Sequence, residues 1–93
     1  MRENAIEKKL VKAVKVCGGI APKLVCPGFD GMPDRILLLP GALIAFVEVK
    51  APGIKPRPLQ MARHKLLRRL GFKVYVLDNE QQIGVILNEI HTS

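Results

Sequence analysis

Asp34, Glu48 and Lys50 are the residues whose types and spacing could do chemistry. Asp34 opens an apolar run, Ile36 to Leu39, while Glu48 and Lys50 interrupt the end of a second one, Ala42 to Val49. Charges do not sit in core strands for packing, because an unpaired buried charge is costly. Successive residues of a strand face opposite sides, so Glu48 and Lys50 project together while Val47 and Val49 point away from them. A chain that folds back at Pro40-Gly41 brings Asp34 towards Glu48, and two close carboxylates repel unless a cation lies between them. A divalent metal is the natural occupant. Mg²⁺ (or Mn²⁺) is held by one or two carboxylates, with waters and substrate phosphate oxygens completing its shell, which so sparse a ligand set can supply. Lys50 then stands near the attacking water.

The elements that must hold these groups follow from the flanking pattern. From Glu3 to Cys17, Ile6, Leu10, Val11, Ala13, Val14 and Cys17 fall on one side of a helix and Lys8, Lys9, Lys12 and Lys15 on the other, with Gly18-Gly19 as the stop. Glu3 and Glu7 lie within the apolar arc. They are either acids favoured by the helix N-terminus or a third carboxylate aimed at the metal. Ile20 to Cys26 reads as a first strand, started at an edge or bulge by Pro22. Pro27 to Gly31 is a loop of turn formers delivering Asp34. Ala51 to Pro58, with three prolines, is a stiffened loop carrying Lys55 and Arg57 for phosphate contact. Pro58 opens a helix with Gln60 in its first turn, ending at Gly71, with Arg63, His64, Lys65, Arg68 and Arg69 clothing its exposed sides. Phe72 to Leu77 is a strand joined to the hairpin by a right-handed parallel crossover. Asn79-x-x-Gln82 reads as a capping box for a last helix through Ile90.

Gly31-x-Pro33-Asp34-Arg35, then Glu48-Val49-Lys50-Ala51-Pro52-Gly53, then Lys55-Pro56-x-Pro58-x-Gln60 resembles the virus-type replication-repair nuclease (VRR-NUC) domain in its stand-alone, phage-like form. This is a branch of the PD-(D/E)xK nuclease superfamily, and the similarity runs from about Arg2 to Asp78. The resemblance implies a restriction-endonuclease-like α/β fold, a mixed β-sheet flanked by helices in the order α-β-β-β-α-β-α, as one domain over residues 1–93. It implies catalytic roles for Asp34, Glu48, Lys50 and Gln60, with a helix acid that is Glu3 or Glu7. Glu3-x-x-Ile6 matches the opening of many VRR-NUC domains. Glu7 with Leu10, Val14 and Gly18 resembles the helix of archaeal-type Holliday junction resolvases and is slightly preferred. The expected metal set is Asp34, Glu48, Val49 and Glu7, and the expected DNA contacts are Arg35, Lys55, Arg57, Lys23 and Arg63.

Composition agrees with that class. The 93 residues hold 15 Lys plus Arg against 8 Asp plus Glu, a net charge of +7 that attracts a polyanion. Aromatic residues are only 4% of the chain, too few for single-strand stacking platforms, which favours duplex or branched DNA. Cys17 and Cys26 make neither a zinc site nor a disulfide framework and read as buried thiols. No signal peptide and no membrane span is expected, which places the protein in the cytoplasm of a bacterial or phage-infected cell. The expected function is a Mg²⁺- or Mn²⁺-dependent endonuclease of branched, Holliday-junction-type DNA, working as a homodimer. The alternatives are a catalytically silent DNA-binding module on the same scaffold, a restriction-type or flap-nicking endonuclease, and a basic RNA-binding domain.

Overall fold

A computed structural model describes residues 2–92 as six elements: α1 (Glu3–Val16), β1 (Arg35–Leu39), β2 (Leu43–Val49), α2 (Pro58–Arg69), β3 (Lys73–Leu77) and α3 (Gln82–Thr92). The sheet is mixed, in the order β1-β2-β3, with β1 antiparallel and β3 parallel to β2. Alternation along β2 sorts its residues between two cores. Ala45, Val47 and Val49 face a larger cluster with Leu37, Leu39 and Leu77, which α1 closes with Ile6, Leu10 and Val14 and α3 with Ile83, Ile86, Leu87 and Ile90. Ile6, Leu10 and Val14, one helical turn apart, are completely buried, each contributing about 1.5–3 kcal/mol. Phe46 turns to the opposite face, where Leu67 of α2 and Val74 of β3 meet it. The connection β2-α2-β3 is therefore the expected parallel crossover, with α2 alone on the face to which Phe46 and Glu48 turn.

The expected strand at Ile20 to Cys26 is reduced to an edge segment, so the order is α-β-β-α-β-α. Ile20 and Leu38 exchange two backbone hydrogen bonds of 2.9 Å, and the N–H groups of Ile36 and Leu24 donate to Pro22 O and Asp34 O. Pro22 has no N–H to return, and the ladder survives only as the bridges Ile20–Leu38 and Lys23–Arg35. Gly19 starts this segment at close approach: a Cβ there would lie 2.5 Å from Leu38 O. The last helix begins at Gln82, later than a capping box at Asn79 would place it. Gln82 Oε1 accepts from Asp78 N rather than from Asn79 N, and Asn79 Oδ1 accepts from Gln81 N. Cys17 and Cys26 are half-buried rather than buried.

Candidate active site

The hairpin register pairs Arg35 with Val47, which sets Asp34, one residue earlier, beside the end of β2. Asp34 Oδ2 accepts a 2.8 Å hydrogen bond from the Val49 amide, so the strand backbone itself aims this carboxylate. Glu48 is completely buried, as expected for an inward position of a central strand. Its Oε2 accepts from Gln60 Nε2 at 3.1 Å and lies 3.7 Å from Lys50 Nζ, while its Oε1 lies 3.4 Å from His64 Nε2. Burial above all, then the charge of Asp34 and a hydrogen bond with it, raises the Glu48 pKa to about 8. The Lys50 ammonium opposes that rise, and Glu3 adds a smaller push in the same direction. Near neutrality, therefore, Glu48 keeps its proton beside Asp34, where a cation could replace it.

Gln60 and His64 stand one turn apart on α2 and both meet Glu48, with Leu67 completing the buried stripe. Gln60 has a second task, because its Oε1 accepts from Arg57 N at 2.9 Å and so closes the start of α2. The side-chain amide of Gln60 thus serves Glu48 directly. His64, grouped in the sequence with the exposed basic residues, is buried at 3% exposure. Burial, together with Arg68 and then Lys50, lowers its pKa, so the ring is neutral at physiological pH. The Nε2–H tautomer suits a carboxylate neighbour. The overlooked signal was the i, i+4 spacing from Gln60, which puts both side chains on one helix face.

Glu3, Glu7, Lys23, Pro33 and Asp34 share a cleft of about 250 Å³. Within it Glu7 Oε2 accepts from Arg35 Nε at 2.8 Å, and Arg35 Nη1 donates to Ala21 O at 2.8 Å, tying α1 to the edge segment. Glu3 is exposed, and its charge is the helix acid that reaches Glu48. The Val49 side chain points into the larger core, and its amide is what meets Asp34. Of the expected DNA contacts, Lys23, Lys55 and Arg57 are exposed. Arg35 is committed to Glu7. Arg63 lies 3.8 Å over the Phe29 ring and donates to Asp30 O at 2.7 Å, so it braces the loop that delivers Asp34.

No group of three or more His, Cys, Asp or Glu side chains among the described residues is arranged to enclose a metal ion. The two carboxylates, one of them buried with its proton affinity raised, are oxygen donors of the type a hard divalent cation takes, with waters completing its shell. No helix among the described residues is long and apolar enough to cross a membrane.

With this geometry in view, known proteins supply two comparisons. The chain is 49% identical over 86 residues to "Putative nuclease p44" of Acyrthosiphon pisum secondary endosymbiont phage 1, covering 92% of each. A solved structure described as a VRR_NUC domain superposes with a TM-score of 0.88 at 32% identity, over 92% of this chain and 94% of that one. No family model matches the chain.

Proposed function

The chain belongs to the VRR-NUC family, and from that premise we propose that it is a divalent-metal-dependent DNA endonuclease that hydrolyses phosphodiester bonds at Asp34, Glu48 and Lys50. The observation that carries this reading is the buried Glu48, held at high proton affinity beside Asp34 and within reach of a lysine. Titratable groups perturbed by burial and a specific charge partner cluster at functional sites.

Asp34 and Glu48 would hold Mg²⁺ or Mn²⁺, with a carboxylate from α1 and the backbone at Val49 near them. Of the two helix acids Glu3 is favoured, since Glu7 is engaged by Arg35. The bound ion would supply positive charge that polarises the phosphate and an attacking water. Gln60 and His64 fix both oxygens of Glu48, so its orientation is set before substrate arrives. Lys50, at 14% side-chain exposure, donates to the attacking water and orients it for in-line displacement. Lys23, Lys55 and Arg57 take backbone phosphates, a contact type that carries affinity rather than sequence choice.

Branched DNA is the proposed substrate class and a two-fold symmetric homodimer the proposed assembly. Exposed Val85 on α3 would add apolar surface to it, and C₂ pairing is the commonest closed arrangement. Linear, flapped and four-way DNA would be incubated with the protein and Mg²⁺, Mn²⁺ or EDTA. Asp34→Asn, Glu48→Gln and Lys50→Ala are expected to cut cleavage by orders of magnitude while DNA binding persists. Wild-type cleavage by Asp34→Asn would overturn the assignment, and DNA binding without cleavage by the wild-type chain would identify a silent module.

A further inference from the structure

Beside the catalytic cluster, on the far side of His64, lies a pocket of about 220 Å³ between α2, β3 and the proline-rich loop. Pro56, Met61 and Val76 give it an apolar lining, and Lys55, Lys65 and Arg68 bring three cations to it. Among the described residues no carboxylate lines it. His64 is shared between the two sites: its ring meets Glu48 Oε1 and also forms part of the pocket wall. Arg68 is held in place because its Nη2 donates to Val74 O at 2.8 Å, leaving the rest of its donor fork unused in that bond.

An apolar hollow bordered only by positive charge suits a group that is flat and poorly hydrated on its faces and anionic at its edge. A single nucleotide has that form. Its base would lie against the Met61 thioether and Val76, with its phosphate among Lys55, Lys65 and Arg68. We propose that this pocket takes one unstacked nucleotide of the DNA strand adjoining the bond to be cut, an inference that rests on the nuclease reading above.

The consequence is selection of substrate. A base inside a duplex reaches such a pocket only by losing its stacking and pairing, whereas a base at a branch, gap or flap has already lost them. The pocket would thus favour branched over continuous DNA without reading sequence, since Met61, Pro56 and Val76 present no hydrogen-bonding side-chain pattern to a base edge. Because the pocket and Glu48 share His64, an occupied pocket also sets the register of the strand against the carboxylates.

The test uses the full chain and a flapped DNA whose cleavage position has first been mapped with Mg²⁺. In EDTA, 2-aminopurine replaces each unpaired nucleotide near that position in turn, and its fluorescence is read as protein is added. One position is expected to change on binding while its neighbours do not, and Met61→Gln should remove that change. Met61 is 51% exposed, so the variant should fold, which its melting curve checks. With Mg²⁺, an abasic site at the same position and Met61→Gln should each slow cleavage roughly tenfold, as loss of one base contact does, and the combination should be no worse than either. Multiplying effects, or Met61→Gln behaving as wild type in both assays, would overturn the pocket assignment. Absence of metal-dependent cleavage by the wild-type chain would instead sink the nuclease reading; 2-aminopurine would then be placed at each nucleotide of the flap and its junction in turn, and a Met61-dependent change at one position in EDTA would still support the pocket, whereas no such change at any position would overturn it.

Discussion

Replacing Glu48 by Gln should make the metal-free protein more stable and inactive at once. In the unfolded chain this carboxyl ionises near 4.5, and in the native protein it is raised to about 8. Below pH 4.5 it is protonated in both states and costs folding nothing. As pH rises from 4.5 to 8 the unfolded chain gives up a proton that the native protein keeps, so stability falls by about 1.4 kcal/mol per pH unit. At pH 7 the accumulated penalty is about 3 kcal/mol, from 2.5 units at that slope. Gln removes the penalty but turns an amide nitrogen towards Gln60 Nε2 or His64 Nε2, a mismatch worth about 1 kcal/mol that a tautomer change at His64 can soften. The net gain at pH 7 is about 2 kcal/mol, or roughly 10 °C in Tm for a chain of this size. At pH 5, where the penalty has barely begun, the two proteins should melt within a few degrees of each other. Thermal melts in EDTA at pH 5 and pH 7, with Mg²⁺ then added, provide the measurement. Mg²⁺ should raise the wild type and leave Glu48→Gln little changed, since only the former offers a charged ligand there. If Glu48→Gln were no more stable than wild type at pH 7, the buried-carboxylate account of the site would be refuted.

Three further outcomes follow from the same geometry. His64→Ala should weaken Mn²⁺ binding about tenfold by freeing Glu48 Oε1, with partial rescue by His64→Gln; unchanged affinity in a calorimetric titration would show the ring to be mere filling. Glu3→Gln should abolish metal-dependent cleavage, whereas Glu7→Gln should chiefly lower stability, by about 1–3 kcal/mol, through the half-buried Arg35 left without its carboxylate; the reverse pattern in urea titrations and cleavage assays would make Glu7 the metal acid. Gly31→Ala should destabilise by about 1–3 kcal/mol, because Gly31 has φ +89° and a Cβ there would come within 2.8 Å of Leu59 Cγ; a Tm equal to wild type would contradict this.

Much of the site is written locally. Glu48 and Lys50 share a strand face by simple alternation, Pro40-Gly41 turns the hairpin, and Ile6, Leu10 and Val14 recur with the helical period; neighbouring residues alone settle such features. The larger core, the crossover and the pairing of Asp34 with the end of β2 follow from them. What depended on tertiary structure is where polar groups ended up. A histidine among arginines looks like solvated surface until the helix docks, when the face carrying Gln60 and His64 is the one that covers Glu48. Arg35 and Arg63 look free to meet DNA until Glu7 and Phe29, distant in sequence, arrive beside them. The segment after Gly19 has the composition of a strand, yet its ladder fails at Pro22 because pairing needs a donor from each side. Periodicity is a property of consecutive residues, so the sequence by itself determined the elements and the acids they carry; burial and charge pairing depend on what packs across the gap, and only the fold decided them.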